Sequence, residues 1–352
     1  MGDAAFCTFI IYMSALDARI CYLLCFPDPV EKSTEPPEQI RGLKDAPYFQ
    51  PVDISVRTLG QTQVQAGGET VTVTRQRYDD RIQVLECKFP LVDVLNPSAI
   101  QRRESIEDDL LRQLIPAAYL ENGLFEEYII LMIDSVNTSD AFVESNAPQL
   151  AHFIRTQREA LDQAEIEDIL VSRVRYSKDD LTIVDWDGAI IIAPDGDFQS
   201  DIELLKVGNY QLLRYRLLDQ SVEASLRDIA AQFRSDPRRA LRPGPTRGRI
   251  RRIVQHRLEL MLDFEHTDQN LLLIGDWYTA KLYEVIREEL YLDNWKEAVH
   301  TKLDNMESII ETIQENFSLT WSGLMGQVEL IGWIILLIGY FVLFFVDAGL
   351  VK

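Results

Sequence analysis

"ETVTVTRQRYDDRIQVLECKF", residues 69–89, decides the fold. Two β-rich runs meet at Asp79-Asp80, and acidic pairs of this kind mark turns. The stretch therefore reads as a β-hairpin. Working backward, "RICYLLCF" (19–26) and "CTFIIYMS" (7–14) read as two core strands joined by a turn near "LDA". The Pro-rich, charged "EKSTEPPEQIRGLKDAP" (31–47) reads as a surface loop between them and the hairpin.

Working forward, "SIEDDLLRQLIPAAYLENG" (105–123) reads as one helix, capped by Ser105 with Asp108 three positions on and closed by Gly123. "FEEYIILMID" (125–134) reads as a strand, and "NAPQLAHFIRTQREALDQAEIEDIL" (146–170) as helical. "ILVSRVRYSKDDLTIVDWDGAIIIAPDGD" (169–197) reads as strands around Lys178-Asp179-Asp180 and a further strand from Gly188 to Ala193. Hairpins with helices between them point to an α+β fold and away from a doubly wound parallel sheet. The expected organisation is an α+β domain over residues 1–196, a helical, coiled-coil-like stalk over 197–320, and a transmembrane tail anchor over 321–352.

The helical part is read from periodicity. Leu218, Val222, Leu226, Ile229 and Phe233 form one stripe. Ile250, Ile253, Val254, Leu258, Met261 and Leu262 form a second, and Val299, Leu303, Met306, Ile310, Ile313 and Phe317 a third. The third alternates spacings of 4 and 3, as a coiled-coil seam or long helical hairpin does. It runs almost directly into "VELIGWIILLIGYFVLFFV" (328–346). Between Ile331 and Val346 the polar groups are the Tyr340 hydroxyl and the Trp333 N–H, both on large apolar side chains, so this helix is apolar all round. Its length approaches the roughly 30 Å of a bilayer core, and Trp321, Trp333 and Tyr340 are of the type favoured near interfaces. The expectation is a single span. No export signal is seen at the other end, where Asp3 stands in place of a basic region, so the bulk of the chain is expected in the cytoplasm. Gly332 and Gly339 lie seven apart, on one face, with Glu329 near the same side. That face is expected to pack against another helix and to favour a homo-oligomer.

The formal charge is −21, unevenly spread. Residues 234–257 hold nine arginines and one acid; without them 26 cations face 55 acids. Pro237, Pro243, Gly244, Pro245 and Gly248 make the first half read as a loop, with a helix from Ile250. Arg238, Arg239, Arg242, Arg247, Arg249, Arg251 and Arg252 are the candidate anion- or partner-binding residues. They would pair with acidic helices of the chain or a neighbour, or contact anionic lipid head groups. Nucleic acid is the weaker reading, because no aromatic follows Phe233 in the stretch to stack on bases.

Motifs for catalysis are absent: no P-loop, no G-x-G-x-x-G, no G-x-S-x-G and no H-E-x-x-H. His152, His256, His266 and His300 stand far apart. Cys7, Cys21, Cys25 and Cys87 read as buried reduced thiols, although Cys21 and Cys25 have a C-x3-C spacing. Asp185, Asp187, Asp195 and Asp197 bracket one strand but lack the spacing of a calcium loop; Asp197 reads as a helix cap. No metal, cofactor or enzymatic activity is expected.

"GDWYTAKLYEVIREELYLDNWKEAVHTKLDNMESIIETIQENFS" (275–318), followed by "VELIGWIILLIGYFV", resembles the C-terminus of the meiotic nuclear division protein family, also known as domain of unknown function 155. "WDGAIII" and "NYQLLRYRLLD" look like that family's Gly-containing strand and following helix. The resemblance implies a membrane-anchored, non-enzymatic protein, the mitochondrial members being linked to support of organelle translation, and carries over no catalytic residue. The expectation overall is a tail-anchored scaffold or assembly factor that self-associates through its stalk. The alternatives are a membrane-tethered binder of RNA, ribosomes or anionic lipid, and an oligomeric pore subunit with Glu329 at its mouth.

Overall fold

The computed structural model describes residues 18–28, 54–136, 138–156, 160–234, 243–269 and 277–347. The fold is mixed α and β: an eight-stranded sheet, then helices, the last ending in an apolar segment. The chain divides into two compact units. One comprises residues 1–217 and 266–296, the other 218–265 and 297–352. The units do not follow a single cut in the chain.

In the first unit, β1 (Ala18–Pro27), β2 (Val56–Ala66), β3 (Glu69–Tyr78), β4 (Ile82–Leu91), β5 (Glu126–Ile133), β6 (Arg173–Val174), β7 (Leu181–Val184) and β8 (Gly188–Ile192) form one sheet. Its order is β2-β3-β4-β1-β5-β8-β7-β6. Every pair is antiparallel except β5–β8, which is parallel. β1 lies centrally and is buried on both faces, which is why "RICYLLCF" is an unbroken apolar run and not an alternating one. β2 is an edge strand, exposed along most of its length.

The hairpin at Asp79-Asp80 forms as expected. Both residues adopt positive φ (52° and 54°), the conformation of a two-residue turn that matches strand twist. Aspartates replace the usual Asn-Gly because their carboxylates are used. Asp79 accepts from the Ser55 amide at 2.9 Å, and Asp80 from Arg57 Nε at 2.9 Å.

Helices α1 (Pro97–Leu114), α2 (Ala117–Asn122), α3 (Ser139–Arg155) and α4 (Gln163–Ile169) fill the connections around β5. Ile106, Leu110, Leu150 and Phe153 from α1 and α3 pack with Ile20, Tyr22, Leu24 and Leu131 of the sheet. A second core joins Cys25, Tyr78 and Val84 to Val207, Tyr210 and Leu213 of α5 (Gln199–Arg234) and Tyr283 of α7 (Trp277–Glu289). Two glycines permit close contacts. A Cβ at Gly188 would stand 2.5 Å from Ile129 Cγ2 and 2.7 Å from the Ile129 carbonyl oxygen, so the parallel pair requires glycine there. One at Gly208 would stand 2.4 Å from Ile286 Cγ2, where α5 meets α7.

The helix expected from Ser105 starts earlier and ends sooner. Asn96 is the cap, accepting from the Ser98 amide at 3.0 Å with Pro97 in the first turn; Ser105 is an exposed mid-helix residue. Pro116 drives Ile115 into an extended conformation (ψ 129°), and a separate α2 runs to Gly123 at φ 62°. The region read as helical over 146–170 holds the end of α3 and α4, with 157–159 outside the described residues. So are the first expected strand (7–14), the loop 31–47, Cys7 and the structure at Arg238, Arg239 and Arg242.

The second unit is built from the end of α5, α6 (Pro243–Gln269) and α8 (Leu292–Asp347). α6 begins at Pro243, not Ile250. Proline is tolerated in a first turn, where its missing N–H has no partner to lose, so Pro243 and Pro245 open the helix instead of preventing it. Leu218, Val222 and Ile229 are buried as their stripe predicts, as are Val299, Leu303, Met306 and Ile310 of α8. The α6 stripe is corrected. Leu260 and Phe264 are the buried pair, while Val254, Leu258, Met261 and Leu262 are exposed. α8 is continuous for 56 residues and includes Gly326–Phe344, a 19-residue segment of mean hydropathy 2.1, long and apolar enough to cross a membrane.

Candidate functional site

A cleft of about 790 Å³ opens in the sheet unit, where β5 begins. Its walls come from α1 (Arg103, Glu104, Glu107, Asp108), β5 (Glu126, Glu127, Tyr128), the end of α3 (Arg155, Thr156), the β7–β8 turn (Trp186, Asp187) and α5 (Asn209, Arg216). Six carboxylates and three guanidinium groups thus face one space. Each element contributes for a local reason. Glu126 and Glu127 occupy the first two positions of an otherwise apolar strand. Arg103, Glu104, Glu107 and Asp108 recur at helical spacing on one side of α1.

The arginines are committed to the walls. Arg103, fully buried, pairs with Glu107 at 3.0 Å and donates to the Phe153 carbonyl and the Thr156 hydroxyl. Its guanidinium lies 4.4 Å from the Phe153 ring centroid. Thr156 ends α3 in the left-handed region (φ 52°). Arg155 pairs with Asp185 at 2.8 Å and Asp187 at 3.5 Å. Arg216 pairs with Glu126 and donates to the carbonyls of Phe125 at 3.2 Å and Gly123 at 2.9 Å. Tyr22 donates to Glu127.

Burial dominates the titration of this cleft. It pushes the Glu107 carboxyl up to about 7, with Arg103 offsetting only part of the effect. It pushes Glu126 up to about 7 as well, against the pull of Arg216. Asp185 and Asp187 are raised by the same cause, with Arg155 opposing in both. The Tyr22 phenol is raised by burial and then by the Glu127 charge. Carboxyls that titrate near neutrality can take up or release a proton there, and the mixed-charge walls suit a small polar molecule. Among the described residues, no group of three His, Cys, Asp or Glu is placed to hold a metal ion.

The residues singled out from sequence lie elsewhere. Arg247 and Arg249 fall in α6, with their side chains outside the described set. Arg251 and Arg252 are exposed on α6, and Arg252 lines a groove of about 500 Å³ with Ser225, Asp228, His256 and Met306. Glu329, Gly332 and Gly339 are exposed on α8, and a Cβ at either glycine would meet nothing within 4 Å. Asp185 and Asp187 join the cleft through Arg155. Asp195 instead accepts from the Asp197 amide at 3.0 Å, and Asp197 from the Gln199 amide at 3.3 Å, ahead of α5. Cys21, Cys25 and Cys87 are buried free thiols, and burial raises the Cys87 thiol to about 12. The cleft itself has no short motif. Its members are scattered from Arg103 to Arg216, and the one local signal is an acidic pair opening an apolar strand.

Residues 28–199 match the family profile described as the N-terminal domain of uncharacterized protein MJ0711. The chain is also similar to uncharacterized protein MJ0711 of Methanocaldococcus jannaschii, 25% identical over 234 residues, which is 66% of this chain and 70% of that protein. No solved structure matches. These findings overturn the resemblance to the meiotic nuclear division family. Both matches lead to MJ0711, and the profile covers residues 28–199, where the resemblance rested on "WDGAIII" alone. The residues behind that resemblance are an amphipathic helix followed by an apolar one. Many unrelated chains share such a pattern, because packing and length alone impose it.

Proposed function

We propose that the chain is a single-pass membrane scaffold or assembly factor. The Gly326–Phe344 segment crosses a bilayer, the sheet unit lies on the cytoplasmic side, and copies associate through the helical unit. One observation carries the reading: no part of that 19-residue apolar segment is buried. A core helix of a soluble protein would bury most of such a surface, and an uncovered apolar cylinder of this length is unstable in water. Hydrocarbon supplies the missing cover. Gly332 and Gly339 leave room for a neighbouring helix on one side, and Glu329 sits at the edge, where a carboxylate costs less than at mid-bilayer.

The test uses the full chain. After alkaline carbonate washing of membranes, the protein should stay in the pellet and be released by detergent. Recovery in the wash would refute the span.

The cleft supports a second reading, in which the anchored sheet unit binds a small polar ligand. A purely structural surface does not need six carboxylates around one opening, two of them poised near pH 7. Ligand-dependent protection of Glu107 from carbodiimide labelling would support it. Labelling unaffected by any candidate polar ligand would count against it.

A further inference from the structure

α6 keeps its longest apolar strip in solvent. Val254, Leu258, Met261 and Leu262 are 40%, 55%, 40% and 62% exposed, while Leu260 and Phe264 face inward. At 100° per residue the four lie within about 60° of Leu258 around the helix axis, and Arg251 and Glu265, also exposed, fall on the same strip. The strip is symmetric in position and opposite in charge. Val254 and Leu262 are each four residues from Leu258. Arg251 and Glu265 are each seven away. Among the described residues neither of these two charges has an ion-pair partner. More widely, Arg247, Arg249, Arg251 and Arg252 precede the centre, and Glu259, Asp263, Glu265 and Asp268 follow it.

We propose that two copies of the chain pair through this strip, with their α6 helices antiparallel and a two-fold axis at Leu258. Leu258 then meets the partner's Leu258, Val254 meets the partner's Leu262, and Arg251 meets the partner's Glu265. A second copy fits because the face is complementary to its own reversal. Parallel pairing would set Arg251 against the partner's Arg251 and Glu265 against the partner's Glu265.

The arrangement deepens the scaffold reading and rests on it for one step. Within the helical unit α6 runs antiparallel to α8: Arg257 meets Glu307 at 2.5 Å, and Phe264 meets His300 with rings 6.1 Å apart. Reversing α6 therefore reverses α8, and the two apolar ends leave the pair in opposite directions. From Glu307 to Gly326 α8 covers about 30 Å. If those ends are spans, the pair holds two bilayer surfaces together, about 60 Å apart.

The pairing is tested on the full chain in mild detergent by light-scattering mass. Wild type should be dimeric. Leu258→Glu should be monomeric. Arg251→Glu and Glu265→Arg should each weaken dimerisation at least tenfold, and the double variant should return to within threefold of wild type. All are exposed positions, so circular dichroism should be unchanged. A monomeric wild type, or single reversals without effect, overturns the pairing. The bilayer step is tested separately with uncharged phosphatidylcholine vesicles carrying the protein. Wild type and the double variant should cluster vesicles, and the single variants should not. Dimers in detergent that incorporate into vesicles without clustering them overturn the joining of bilayers and leave the pairing. Failure to incorporate at all overturns the membrane reading instead.

Discussion

Glu107→Gln is expected to stabilise the protein at pH 8 and to leave it nearly unchanged at pH 4. The Glu107 carboxyl titrates at about 7 in the folded chain, against 4.5 for a free glutamate, because it is buried beside Arg103. Its folded-state value is raised, so the folded chain holds more protons than the unfolded chain between these two values. Stability must then fall as pH rises through that window and level off above 7. Each pH unit corresponds to about 1.4 kcal/mol, which places the full penalty at about 3 kcal/mol. Glutamine has the shape of the protonated acid and cannot ionise, so it escapes the penalty. Loss of the Glu107 charge from beside Arg103 is already contained in the folded-state value. The assay is thermal or urea unfolding of full-length wild type and variant in detergent at half-unit steps from pH 4 to pH 8. The difference between the two curves should be near zero at pH 4, grow with pH, and flatten beyond 7. A difference that stays flat across the range would refute a buried, neutral-pH carboxyl and with it the electrostatic reading of the cleft.

Four further substitutions test the fold that holds the cleft. Gly188→Ala should destabilise by about 3 kcal/mol, since the new methyl meets the Ile129 backbone oxygen; an unchanged melting temperature would show that β5 and β8 are not this close. Lys206→Met should cost about 3 kcal/mol at pH 7 by removing the buried partner of Glu203 and Glu86 and leaving Glu86 to Lys88 alone; burial would raise the Glu86 carboxyl, but Lys206 and Lys88 together hold it below its usual value. Because a depressed carboxylate contributes only above its unfolded pKa, that cost should shrink in urea unfolding at pH 4, and equal losses at both values would count against the ion pair. Asn96→Ala should lower stability by about 1 kcal/mol while Ser105→Ala changes little, which helical content on heating can follow; the reverse ranking would restore Ser105 as the cap.

Strands were more legible than helix ends. "RICYLLCF" and "FEEYIILMID" announce buried strands by composition, and Asp79-Asp80 announces a turn, because these signals are local. The cap of α1 was missed because Ser105 competes with Asn96-Pro97, and only the structure shows which side chain reaches an amide. The α6 stripe was misread for a different reason. Nearly every third or fourth residue from Ile250 to Phe264 is apolar, so periodicity permits two faces, and only packing selects Leu260 and Phe264. The cleft was illegible because a cleft is a property of distance. Arg103, Glu126, Arg155 and Arg216 lie on four elements, and no spacing in the chain links them. Family resemblance failed where the pattern was generic, in the amphipathic and apolar helices of the C-terminal third.

The first unit is assembled from two separate pieces of chain, and this sets a schedule for synthesis. Residues 266–296 return to it after the excursion of residues 218–265. α7, within that returning piece, packs against α5 at Gly208, and Tyr278 donates to Asp201 at 2.9 Å. Until α7 leaves the ribosome, Asp201 and the surface around Gly208 and Val207 have no cover from it. At about 5–20 residues per second, the 79 residues from Leu217 to Lys296 take roughly 4 to 16 seconds to make. During that interval the nascent chain presents a nearly finished sheet with one apolar side partly open. A chaperone acting on this protein would find its binding window there, and pulse-labelled chains released at residues 220 and 300 should differ sharply in protease resistance.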